Sequence, residues 1–85
     1  MKTYSLEVLT PRGKLFEGEA VHALIPAEDG FVGVLADHAP YVTSSPGGKM
    51  EVRLASGETK SFQVGLGFFQ VLKNSAFLLT ESVES

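Results

Sequence analysis

Eighty-five residues can close one hydrophobic core and leave no room for a second, so the chain reads as one domain over residues 1–85. It contains no cysteine, which excludes disulfides, thiolate catalysis and sulfur-ligated metals. The formal charge of −3 comes from interleaved acids and bases, with no basic block or arginine stripe of the kind that holds nucleic acid.

The opening "MKTYSLEVL" is not a signal peptide, because Glu7 interrupts it and no cleavage site follows. No run approaches the roughly 20 apolar residues of a spanning helix, and a soluble chain is expected. From here a period of two dominates. Tyr4, Leu6 and Val8 share one face, with Ser5 and Glu7 opposite. "PRGK" turns the chain. Residues 20–26, "AVHALIP", are apolar on both faces, which predicts a strand covered on two sides. "AEDG" is an Asp-Gly turn signal, and "FVGVL" extends from it. "ADHAP" turns again, "YVTS" extends, and "SPGG" is the strongest breaker in the chain. "KMEVRL", "ASGE" and "TKSFQV" form the most secure hairpin, with Met50, Val52 and Leu54 directed inward.

Gly65 and Gly67 interrupt "GLGFFQVL", where glycine marks a bulge, a bend or a close backbone approach. Phe68 and Phe69 cannot both point inward, so one faces out and hints at a partner surface. "KNS" turns, "AFLLTE" extends, and "ESVES" is expected to be loose. Short strands at this spacing predict an all-β fold, an antiparallel β-sandwich of two packed sheets or a small barrel, with no substantial helix.

Candidate chemistry is sparse. Asp37-His38 has the composition of a catalytic pair, but strand neighbours point to opposite faces and no nucleophile accompanies them. The only other histidine, His22, lies in a predicted strand, and two histidines without short spacing make a poor metal site. Glu28-Asp29 reads as a solvated turn. Neither "PGG" nor "GLG" has the spacing of a phosphate loop. Lys14 or Lys49 could serve as the modified lysine of a biotinyl- or lipoyl-carrying sandwich, although neither has the hairpin-tip setting such a lysine needs.

Taken in order, "LEVLTPRGKLFEG", "IPAEDGFVGVLADHAP", "PGG" before a hairpin and "VGLGFFQVL" resemble one family. It is the epsilon subunit of F-type ATP synthases, in its N-terminal β-sandwich domain. The resemblance covers nearly the whole chain and is most specific at Pro11 with Gly13, at Gly30, Gly33, His38, Ala39 and Pro40, and at Gly65 with Gly67. Ala36 and Asp37 stand where the family commonly has proline and glycine, and Ser44 and Ser45 replace apolar residues before Pro-Gly.

The resemblance implies a non-catalytic rotor subunit that joins the gamma subunit to the ring of c subunits, so that ion-driven rotation is coupled to ATP synthesis. It places Glu28, Asp29, Gly30, Phe31 and Val32 against the c-ring, and His38, Ala39, Pro40, Tyr41 and Thr43 against gamma. It assigns structural roles to Gly33, Gly65 and Gly67. It implies no cofactor, metal or nucleic acid, a monomer when isolated, and a peripheral place on the cytoplasmic face of a bacterial inner membrane. The family usually continues into a C-terminal helical hairpin that restrains hydrolysis and in some members binds ATP. This sequence stops at Ser85, so neither role is carried over.

Overall fold

A computed structural model describes residues 2–84. Nine strands occur among the described residues, and no helix. They are β1 (Tyr4–Thr10), β2 (Gly13–Ala27), β3 (Gly30–Leu35), β4 (Tyr41–Ser45) and β5 (Gly48–Leu54), followed by β6 (Thr59–Val64), β7 (Gly67–Leu72), β8 (Ser75–Thr80) and β9 (Val83–Glu84). The hydrogen-bonded path runs β4-β7-β8-β1-β2-β5-β6-β9, with β3 attached to β2. It folds into two layers at β2, as expected of a β-sandwich.

The fold turns on that strand. β2 is 15 residues long. Its first part pairs with β1, up to Tyr4 opposite Ala20. Its second part pairs with β3 from His22 onward and with β5 on its other side. Between the two lies Val21, an extra residue where the register with β5 steps from Ala20 opposite Leu54 to His22 opposite Arg53. A bulge of this kind bends a strand and lets it leave one sheet for the other.

The bulge also corrects the sequence reading of residues 20–26. Ala20 and Ala23 are both buried although they lie three apart. The extra residue resets which face points inward, and the outer face of the run is covered fully only at its end, where Pro26 is buried. His22 and Leu24 lie half-buried on the outer face. β2 also begins at Gly13, well before the apolar run that signals it. A second bulge, at Leu15, falls where Val8 opposite Phe16 gives way to Leu9 opposite Lys14.

One pairing departs from antiparallel order: β1 and β8 run parallel, Ser5 opposite Ser75 through Leu9 opposite Leu79. Period-two alternation is the same for either direction, so residue pattern alone cannot tell them apart. The core lies between the layers and contains Leu6, Val8, Ile25, Val34, Met50, Val52, Phe69 and Leu78, all fully buried. Tyr4 is buried with them, and its hydroxyl donates to the Val34 carbonyl at 2.9 Å, joining β1 of one layer to β3 of the other. Burial pushes the phenol pKa well up, so the hydroxyl remains a donor at any ordinary pH.

The aromatic pair resolves as strand geometry requires. Phe69 is buried, while Phe68 faces outward, edge-on to Phe77 at 5.9 Å between ring centroids. The tail is more ordered than its composition suggests. Val83 and Glu84 pair with Val64 and Gln63, and the Gly65 N–H donates to the Ser82 carbonyl at 3.0 Å. Ser85 of "ESVES" lies outside the described residues.

The three glycines separate sharply. A Cβ at Gly67 would overlap the Leu79 carbonyl oxygen and sit 2.8 Å from the Thr80 Cα, both backbone of the neighbouring strand. At Gly65 it would meet the Ser82 hydroxyl and the Glu81 side chain, which can move aside. At Gly33 it would meet only the His22 Nε2, at an ordinary 3.4 Å, so packing does not demand glycine there. Gly47, which composition did not single out, has φ +95 and would place a Cβ 2.9 Å from the Val64 carbonyl oxygen.

Gly67→Ala should therefore cost about 3 kcal/mol or more, because backbone rather than a side-chain end must move. Gly33→Ala should stay within about 1 kcal/mol of the parent. Urea denaturation distinguishes the two, and similar midpoints for both variants would refute the packing argument. Tyr4→Phe should lose about 1 kcal/mol, since it removes the inter-layer bond while the Val34 carbonyl keeps its place in the ladder. An unchanged midpoint would show that this bond contributes nothing.

Candidate functional site

Two segments project at opposite ends of β3. At one end, Glu28 and Asp29 form the two-residue link between Ala27 and Gly30, which pair across the hairpin. Gly30 holds φ +123, a conformation that side-chain-bearing residues rarely adopt. Glu28, Asp29 and Gly30 are exposed. Phe31, opposite Pro26, is 60% exposed, a large apolar area with no folding reason to face water. Val32 points the other way and packs on the core. Of the five residues expected to meet the ring, Val32 is thus removed by strand alternation.

At the other end, Leu35 leads through Ala36 and Asp37 into His38–Ser45. The Asp37 backbone is left-handed at φ 65, and its N–H donates to the Asn74 Oδ1 at 2.6 Å. The Asn74 amide returns a bond to the Asp37 Oδ1 at 3.0 Å, and the Lys2 ammonium reaches Oδ2 at 2.7 Å. The Asn74 carbonyl in turn accepts from the Ser5 N–H at 3.0 Å. The β3–β4 turn is therefore tied to the β7–β8 turn, where Lys73 and Asn74 have φ of 51 and 59, and to the start of β1. The bonds from Lys2 and then Asn74 hold the Asp37 carboxyl below the usual carboxylate range.

This geometry separates Asp37 from its neighbour. The His38 ring Nδ1 lies 2.6 Å from the Ala39 carbonyl oxygen, and the ring stands edge-on to Tyr41 at 5.9 Å. The carboxylate and the imidazole serve different partners, so they do not form a catalytic pair. Among the described residues, no group of three or more histidines, aspartates and glutamates is gathered to hold a metal.

Ala39, Pro40 and Tyr41 are exposed. Thr43 is not: it is 8% exposed, turned inward, and its hydroxyl donates to the Ser44 carbonyl at 3.0 Å. The residue turned outward is Val42, 64% exposed. Thr43 therefore presents no side chain to a partner, whereas Val42 does. The alternation of "YVTS" holds that information, since Thr43 and Ser45 share the buried face.

A third apolar area, around the outward Phe68, is a shallow groove lined by Pro11, Leu66, Phe68 and Leu79. The carrier reading fails on position. Lys14 lies within β2, tied to Glu7 at 2.7 Å and Glu17 at 3.2 Å, and Lys49 lies within β5, 3.4 Å from Glu51. Neither is a free lysine at a hairpin tip.

Known proteins share this layout. The family described as the ATP synthase delta/epsilon chain, β-sandwich domain, matches residues 3–85. The ATP synthase epsilon chain of Chlorobium limicola is 37% identical over 82 residues, spanning 96% of this chain and 93% of that protein. The sodium-ion-specific epsilon chain of Propionigenium modestum is 36% identical over 81 residues, where this chain spans only 58% of its relative. Among solved structures, a chain of the Euglena gracilis mitochondrial ATP synthase, in its OSCP/F1/c-ring assembly, superposes with a TM-score of 0.90 at 20% identity. That match covers 96% of this chain and 52% of the other. At such identity the likeness speaks for the fold. The family match over nearly the full length, together with relatives above 30% identity, settles the assignment: the chain belongs to the ATP synthase delta/epsilon chain family and carries its β-sandwich domain.

Proposed function

We propose that this chain is a coupling piece of the central stalk of an F-type ATP synthase, fastening the gamma subunit to the c-ring so that ring rotation turns the stalk. The observation that carries this reading is the placement of two apolar-tipped surfaces on one rigid strand. Glu28, Asp29, Gly30 and Phe31 lie at the start of β3, and His38, Ala39, Pro40, Tyr41 and Val42 follow its end. The six residues of β3 separate them by about 17–20 Å of extended chain. A part that transmits torque needs such separation and stiffness, and it needs no catalytic group of its own.

The family name and the assembly in the Tetrahymena thermophila structural match, described as central stalk and c-ring, favour the same reading (TM-score 0.81, 10% identity). In this role the hairpin tip faces the ring, and the His38–Val42 segment faces gamma. The protein is a monomer when isolated and sits peripherally at the cytoplasmic face of a bacterial energy-coupling membrane.

The test is a binding assay with purified gamma subunit and with purified ring, each alone. Phe31→Ser should weaken ring association about tenfold, or about 1.4 kcal/mol, while sparing gamma binding. A Tyr41→Ser, Val42→Ser double variant should do the reverse. Both changes fall at exposed side chains, so each melt should remain near the parent. If either variant impairs both associations equally with an unchanged melt, the two-surface division is wrong.

A further inference from the structure

The bulge in β2 has a consequence on the outer surface as well as in the core. A bulge re-aims side chains by one step of the alternation. Val21 and His22, consecutive in the chain, both turn outward, while Ala20 before them and Ala23 after them are buried. With Leu35 and Ala36 at the end of β3, Arg53 of β5 and Lys2 ahead of β1, they line an open groove of about 400 Å³. Register explains its make-up. His22 stands opposite Leu35 on one side and opposite Arg53 on the other, so a leucine, an imidazole and a guanidinium form one row across three strands.

The charge of this row runs against that of the chain, whose formal net charge is −3. The acids near it are already engaged. Asp37 holds Lys2 at 2.7 Å, and Glu51, on the same outward side of β5 as Arg53, lies 3.4 Å from Lys49. Among the described residues, four of the five lysines form ion pairs and neither arginine does. Yet a guanidinium is the better group for a carboxylate, which it takes with two parallel bonds, and arginine is enriched where proteins meet. Arg53 is thus a cation without a counter-charge among the described residues. It stands in a groove with a leucine 59% exposed and an imidazole that can supply a ring N–H.

We infer that this groove receives an acidic side chain from a protein partner, an inference that rests on the stalk role proposed above. Charge complementarity selects the occupant: a segment with Asp or Glu against Arg53 and His22, and an apolar neighbour against Val21 and Leu35. A neutral or basic segment docked here would desolvate the guanidinium without pairing it, which is strongly unfavourable. The apolar wall of Val21, Leu35 and Ala36 calls for a side chain beside the charge, which a bare phosphate does not carry. The groove lies at the far end of β3 from Phe31, so it makes no claim on the hairpin tip.

Binding to purified gamma subunit and to purified ring, each alone and at two ionic strengths, tests this. Arg53→Glu should weaken at least one of the two associations about tenfold, with a melt near the parent because the side chain is exposed. Arg53→Lys, which keeps the charge, should bind within about threefold of the parent. Treated with a carbodiimide in the complex, its lysine amine should form an amide with a carboxylate of the partner. Added salt should weaken the parent complex more than that of Arg53→Ala. Arg12→Glu, the same change of charge at the other end of β1, should bind like the parent.

Equal losses from Arg12→Glu and Arg53→Glu would assign the effect to net charge and overturn the inference. Unchanged association of Arg53→Glu with both partners would overturn it too, and either result leaves the stalk role intact. Binding of the free chain to phosphatidylglycerol vesicles that disappears in Arg53→Glu would assign the groove to a lipid headgroup and also overturn it. Should Arg53→Glu fail to fold, Arg53→Ala and its salt dependence decide. A parent chain that binds neither gamma nor ring refutes both readings.

Discussion

Everything in this molecule depends on one strand belonging to two sheets. β2 leaves β1 at Ala20 and meets β3 at His22, with the extra residue Val21 as the corner. The bulge sets the inward faces of both halves, because a one-residue change in a period-two pattern exchanges the faces. It therefore determines that Ala23 and Ile25 enter the core and that the outer side of the second layer carries His22, Leu24 and Pro26. The facing residues of β3 follow by register, so the exposure of Phe31 and Leu35 is a consequence of where β2 bends.

The second constraint is how the end of β3 is held. Without proline and glycine at positions 36 and 37, the turn there has no built-in conformation. Asp37 adopts a left-handed backbone all the same, and the reciprocal bonds with Asn74 compensate for it. Asn74 is itself left-handed in the β7–β8 turn, so two strained turns support one another and Lys2 adds an ion pair to the pair. The ion pair is solvent-exposed and worth little alone. The amide bonds matter more, since they fix the direction in which His38 and the strand after it leave the turn. A polar pair that resembles a catalytic fragment is thus a joint between two loops.

Much of this was legible in the residues. Tyr4, Leu6 and Val8 mark β1 with its boundaries, and the Met50–Val52 alternation with an Asp-free "ASGE" turn marks the β5–β6 hairpin. The double phenylalanine required one outward ring. What residues could not disclose depends on the third dimension. A parallel β1–β8 pair has the same alternation as an antiparallel one. The bulge at Val21 disguises itself as two-sided burial, and the first half of β2, "GKLFEGE", is too charged to look like a strand whose neighbour supplies the pairing. At the candidate surfaces, Val32 and Thr43 turn inward for one shared reason. A contact region carried over as a continuous run ignores that every second side chain in a strand faces the core.

The same alternation gives the flank its economy of design. Along β3, Val32 and Val34 turn their side chains to the core, whereas those of Phe31 and Leu35 face solvent. Folding therefore uses one set of residues and leaves the other free, so selection on binding can alter the outer set without disturbing the core. Gly33 illustrates the division: nothing in the packing requires it, in contrast to Gly67, whose Cα lies against the backbone of β8.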